Sequence, residues 1–178
     1  KMRIISGTYR GKTIRPPKNL KARPTTDFAK ESLFNILQNH FDLESCKVLD
    51  LFAGTGSISY EFASREAMSI TAVEQEPIHF RFIRKTADEL GFEPLHAIQT
   101  DVFRFILKPF ESFDIIFADP PFDHPRLGEL PGIIFGSNIL LPGGMFILEH
   151  PARHDFRDHP RFYQLRTYGS VNFTLFRP

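Results

Sequence analysis

The chain has 178 residues, 42% hydrophobic and 24% charged, which suffices for one sizeable core and disfavours two domains. No apolar run approaches the roughly 18 to 20 residues of a bilayer span, and the opening KMRIISGTYRGK lacks the apolar centre of a secretory signal, so a cytoplasmic protein with no membrane association is expected. The net charge of +1 conceals an asymmetry: residues 1–30 hold nine Lys and Arg against the single acid Asp27, a net of +8, while the rest of the chain is acidic. A basic arm on an acidic body suits polyanion binding or a solvated terminus, and charge alone does not separate the two.

Residues 1 to 24 alternate short apolar and basic stretches around Gly7, Gly11, Pro16, Pro17 and Pro24. That pattern predicts a small hairpin or extended arm, so 1–26 reads as an appendage to a domain spanning 27–178. Thr25 or Thr26 can cap a helix that begins at Asp27 and carries Leu33, Phe34, Ile36 and Leu37 at helical spacing to about Asn39. Cys46 has no second cysteine to pair with and reads as a buried thiol before a strand.

From Lys47 onward short apolar runs alternate with helical segments. KVLDLF precedes a helix over 57–65, SITAVE precedes Pro77 to Leu90 with its stop at Gly91, and LHAIQ precedes 101–107. FDIIFA is followed by a less regular stretch over 125–138, then by GMFILEH. Parallel neighbours need crossovers, which are usually helices, so the fold class is a doubly wound, Rossmann-like α/β sheet, mostly parallel. RFYQLRTY and VNFTLFR meet at Gly169-Ser170 and predict an antiparallel C-terminal hairpin.

In VLDLFAGTGSIS, Asp50 stands near the end of the first strand, and the chain then turns through Phe52, Gly54 and Gly56 into a helix. Glycines there permit a tight turn and a close ligand approach. Glu74 follows Gly56 by 18 residues, at the end of the second strand, where a carboxylate accepts from both hydroxyls of an adenosine ribose. Nicotinamide dinucleotides and S-adenosylmethionine both use this geometry. Ser59 replaces the third glycine of the dinucleotide pattern, and Asp50 is awkward beside a pyrophosphate but suits a cationic amine, which favours S-adenosylmethionine. Asp101 can accept from the adenine amino group or cap the helix behind it, two compatible roles, and Val102 can pack on the ring.

The fourth strand ends at Asp119-Pro120-Pro121-Phe122, on the same carboxyl edge as Gly54, Glu74 and Asp101 if the sheet is parallel. Prolines supply no N–H donors and restrict the backbone, so Asp119 and the Pro120 carbonyl become fixed acceptors. Such a pair can grip the hydrogens of an exocyclic amino group, with Phe122 stacked on a flipped-out base.

These residues resemble bacterial RsmD-type enzymes, which methylate the guanine N2 amino group of small-subunit ribosomal RNA. The resemblance rests on MRIISGTYRGK, RPTTD, ESLFNIL, VLDLFAGTGS, FADPPF and the closing Tyr168-Gly169, and runs nearly end to end. It implies S-adenosylmethionine as donor, Asp119 to Phe122 as the amino-methylation motif, Glu74 on the ribose, and 16S rRNA as partner, favouring an assembled small subunit. Ser59 and Glu66 stand where glycine is usual, and Phe28 where a basic residue often lies.

Arg10, Lys12, Arg23 and Lys30 are the expected RNA contacts. His150, His154 and His159 with Asp155 and Asp158 are irregularly spaced in a connecting segment, so no metal site is expected. No coiled coil demands a partner, so a monomer is expected. The alternatives are an adenine-directed or protein-amide methyltransferase, an NAD-linked oxidoreductase, and a catalytically silent RNA-binding domain.

Overall fold

The computed structural model describes residues 2–20 and 25–178. Strands β1 (Met2–Arg3) and β2 (Thr13–Ile14) pair antiparallel. Helix α1 (Asp27–His40) starts where the Thr26 hydroxyl accepts from the Ala29 N–H at 3.2 Å, and ends where Phe41 turns to extended backbone. Then follow β3 (Lys47–Leu51), α2 (Ser57–Ser64), β4 (Ser69–Val73), α3 (Pro77–Leu90), β5 (Leu95–Ile98), α4 (Val102–Leu107) and β6 (Phe113–Ala118). The chain closes with α5 (Leu130–Gly136), β7 (Leu140–His150), β8 (Phe162–Tyr168) and β9 (Val171–Phe176).

One seven-stranded sheet runs in the order β5-β4-β3-β6-β7-β9-β8. The first five strands are mutually parallel, and β9 is antiparallel to both β7 and β8. Successive strand residues point to opposite faces, so the apolar runs split in two. Val48, Ile70, Ile115, Met145 and Ile147 join α1, α2 and α3 in one core, while Leu49, Leu51, Val73, Ile116 and Leu148 join α4 and α5 in the other. The stretch 125–138 contains α5, which its glycines and prolines obscure in the sequence. Leu127, Leu130 and Ile134 nevertheless recur at helical spacing, and all three are fully buried.

The N-terminal hairpin is docked, which corrects its reading as an appendage. Met2, Ile4 and Ile14 are buried in the first core. Glu61 of α2 accepts from the N–H groups of Ile5 at 2.8 Å and Ser6 at 3.1 Å, and the Tyr9 N–H donates to Ser64 Oγ at 3.0 Å. Gly7 passes so close to α2 at φ +89° that a Cβ would lie 1.9 Å from the Ser64 carbonyl oxygen.

Lys30 is likewise not an RNA contact. Its side chain is 2% exposed, and its ammonium donates to the Arg3 carbonyl at 2.7 Å and Ser57 Oγ at 3.1 Å, with Glu61 3.8 Å away. The apolar spacing of α1 places this position on the inward face, where the charge cross-links β1 to the start of α2. Burial lowers the Lys30 pKa and Glu61 opposes that shift.

Glu66 follows α2 at φ +64°, in the left-handed region where glycine carries no Cβ penalty. Glu66→Gly is therefore expected to raise stability by about 1 kcal/mol, read as a higher urea midpoint at unchanged slope. An unchanged or lower midpoint would refute the assigned strain.

Candidate active site

A cavity of about 390 Å³ opens at the carboxyl ends of the parallel strands and gathers most of the expected residues: Asp50, Phe52, Gly54, Glu74, Asp101, Val102 and the whole of Asp119 to Phe122 line it. Gly56 does not line it, although its neighbours Thr55 and Ser57 do. It sits at φ +88° at the start of α2, and a Cβ there would meet the Tyr60 ring at 2.6 Å, so its place is in the turn.

Each acid is held differently. Asp50 is 1% exposed and accepts from the Ser59 hydroxyl at 2.6 Å. Burial pushes its carboxyl up to about 7, against the opposing Ser59 hydrogen bond and with a smaller push from Glu74. Glu74 accepts from the N–H groups of Gly54 at 2.7 Å and Glu76 at 3.1 Å, which orients both its oxygens at the cavity wall. Asp101 caps α4 by accepting from the Arg104 N–H at 3.1 Å, while still lining the cavity. A carboxylate set of this kind fits a ligand rich in hydroxyls and bearing a cation.

The proline corner follows β6. The Asp119 N–H reaches the Leu51 carbonyl at 3.3 Å, so the corner begins where the sheet pairing ends. Pro120 is buried, Pro121 exposed and Phe122 half-buried. The Pro121 carbonyl accepts from the His124 N–H at 2.9 Å, closing a turn, and the Arg153 guanidinium donates to the Phe122 carbonyl. Behind the turn, His124 stacks on Phe103 at 5.4 Å and packs edge-on to Phe52 at 5.7 Å. Phe52 adopts φ +58°, which turns its ring into this cluster.

Sequence reasoning missed Thr25, His79 and Glu149 in the wall. Glu149 had a usable signal, since it is another acid at the carboxyl end of a strand. Its carboxylate accepts from Thr25 Oγ1 at 3.3 Å, bringing the start of α1 to the cavity rim. Of the basic residues, Arg10 and Lys12 are exposed on the hairpin, and Arg23 lies outside the described residues. His150 is buried, with Nε2 2.6 Å from Thr174 Oγ1, and no three potential metal ligands gather among the described residues.

A parallel sheet of this order, finished by an antiparallel pair and bearing acids at successive strand ends around one cavity, is a Rossmann-like methyltransferase fold. The family model described as Conserved hypothetical protein 95 matches residues 2–177. Ribosomal RNA small subunit methyltransferase D of Buchnera aphidicola subsp. Baizongia pistaciae is 32% identical over 148 residues, covering 83% of this chain and 75% of its own length. The Escherichia coli K12 protein of the same name is 27% identical over 179 residues, covering 99% and 89%. A solved hypothetical protein of Thermus thermophilus superposes with a TM-score of 0.87 at 26% identity, over 100% of both chains. The chain belongs to the Conserved hypothetical protein 95 family, and these ribosomal RNA methyltransferases are its relatives.

Proposed function

We propose that this protein transfers a methyl group from S-adenosylmethionine to the exocyclic N2 of a guanine in 16S ribosomal RNA, in the cytoplasm and on small subunits or their assembly intermediates. The observation that carries the reading is that Asp119 to Phe122 share one cavity with Glu74 and Asp50. A cofactor-binding acid set and an acceptor-only corner in the same cavity fit methylation of an amino group. The names of the curated relatives support ribosomal RNA as substrate.

When bound, the cofactor supplies an electrophilic methyl on a sulfonium. Glu74 would accept from the ribose hydroxyls, Asp101 from the adenine amino group, Val102 would pack against the ring, and Asp50 would hold the ammonium. Asp119 and the Pro120 carbonyl accept from the two amino hydrogens of the base. This grip would fix the nitrogen lone pair and stabilise the positive charge that develops on nitrogen as the N–C bond forms and the donor's C–S bond breaks, leaving a neutral thioether. Phe122 stacks on the flipped base. The nitrogen then returns to neutrality by losing one proton towards Asp119 or water. In-line positioning of this kind is worth on the order of 7 to 11 kcal/mol, so no separate base is required.

Nucleoside mass spectrometry of unmethylated small subunits after reaction with methyl-labelled cofactor tests the substrate. N2-methylguanosine is the expected product, whereas N6-methyladenosine would support the adenine-directed alternative.

The cofactor site also predicts a pH dependence. Asp50 must be ionised to hold an ammonium, so affinity for S-adenosylmethionine should fall as pH drops through about 7. Ser59 holds the ionised form by hydrogen bonding, and Ser59→Ala should move the fall to higher pH, costing about tenfold in affinity near neutrality. Calorimetric titration over several pH values checks this, and superimposable wild-type and variant profiles would contradict it.

A further inference from the structure

Phe28 is 67% exposed in the first turn of α1, an exposure no packing role demands. A single exposed ring is unremarkable on a protein surface by itself. What distinguishes Phe28 is its location. The Phe28 ring meets the Tyr168 ring edge-to-face at 5.5 Å and 87°, and Tyr168 in turn packs on Phe173 at 6.0 Å. Phe173 lies opposite Glu149 in the β7–β9 ladder, and Glu149 lines the cavity and bonds to Thr25, three residues before Phe28.

The topology makes this proximity unavoidable. Because β9 runs antiparallel to β7, the Gly169-Ser170 turn falls beside the carboxyl end of β7, on the same edge as the cavity. The turn carries Tyr168 at the end of β8, and α1 begins above it. The two rings therefore form an aromatic shelf outside the cavity wall, linked to its Thr25 and Glu149 side. Cations lie on the hairpin beside it: Arg3, exposed, reaches Asp27 next to Phe28 at 2.9 Å, and Arg10 and Lys12 are exposed on the same hairpin.

We propose that the Phe28–Tyr168 shelf stacks a nucleobase adjacent to the flipped target base, so that this chain grips single-stranded RNA by stacking as well as by charge. The inference rests on the proposed RNA methyltransferase reading. An exposed ring face near an amino-directed cavity, beside a hairpin with exposed cations, is the combination used for unpaired nucleic acid: cations follow the phosphates, and aromatic faces take the bases without regard to sequence. An apolar protein segment would gain nothing from the cations. Flipping the target breaks its stacking with both neighbours, and a ring of the shelf replaces one of those contacts.

The test measures binding of unmethylated small subunits, and of free 16S rRNA, by filter retention. Phe28→Ala is expected to weaken binding to both by about 5- to 150-fold, the range stacking of one base supports. Phe28→Leu retains apolar packing on Tyr168 but cannot stack, and should behave like Phe28→Ala, whereas Phe28→Trp should restore affinity. The slope of log affinity against log salt should match wild type in every variant, since stacking releases no counterions. Wild-type affinity in Phe28→Leu, or a changed salt slope in Phe28→Ala, would overturn the proposal. So would a loss confined to assembled subunits, which would assign the shelf to a ribosomal protein. Wild-type protein that binds neither RNA form would instead remove the RNA-substrate reading underneath, a result distinct from failure of the shelf alone.

Discussion

Asp119→Ala is expected to lower kcat for methyl transfer by at least about 10² to 10³ while leaving S-adenosylmethionine affinity nearly unchanged, a magnitude typical of removing one preorganised polar contact to developing charge. The separation follows from position. Asp119 lies at the carboxyl end of β6, while Glu74, Asp50 and Asp101 belong to the strand ends assigned to the cofactor. Alanine removes the Asp119 carboxylate and leaves the Pro120 carbonyl as the remaining proposed acceptor, so the amino group keeps one fixed hydrogen and can rotate its lone pair away from the methyl. Asp119→Asn keeps one acceptor oxygen in place and should fall between the two. Single-turnover rates with labelled cofactor, alongside calorimetry for cofactor affinity, check this. Unchanged turnover in Asp119→Ala would remove the amino-gripping mechanism, and no turnover in the wild type would favour a silent RNA-binding domain.

Glu61→Ala is expected to destabilise the fold by about 3 to 5 kcal/mol, the cost of removing one partner from a buried charge network. Glu61 is fully buried and accepts from Ile5 N, Ser6 N and the Arg65 Nε, the last at 2.9 Å. Its loss strands the hairpin N–H groups and leaves the Lys30 ammonium without its carboxylate. Because burial already depresses the Lys30 pKa, the variant should regain stability as pH rises and Lys30 gives up its proton. The added change Lys30→Met should recover part of the loss by removing the unpaired charge. Urea denaturation measures all three, and a loss below about 1 kcal/mol in Glu61→Ala would contradict a buried network.

Periodicity made the sheet legible. Each parallel strand is a short apolar run, the crossovers through α2, α3 and α4 are segments with helical spacing, and the stops at Gly91 and Gly169 fall where turns occur. Asp50, Glu74, Asp101 and Asp119 were legible for the same reason, because a polar residue closing an apolar run marks the edge of the sheet, although Glu149 was missed. Lys30 was not legible: by charge it belongs with the cations of an arm, yet its neighbours Ala29, Leu33 and Phe34 put it on the buried face of α1. Its partners and those of the hairpin lie far along the chain, Glu61 being 56 residues from Ile5, and no local pattern reports such a pairing. Ser59 illustrates the same boundary. In sequence it is a departure from glycine, while in three dimensions its hydroxyl is the hydrogen-bond partner of Asp50. The side chain is meaningful only once α2 is laid against β3.

The most direct test is a crystal structure grown with S-adenosylhomocysteine. The ribose is expected on Glu74, the amino group of the homocysteine on Asp50, and the sulfur facing Asp119 across the cavity. A ligand whose sulfur points away from the Asp119 corner, or a cavity that stays empty at saturating ligand, would contradict the proposed mechanism.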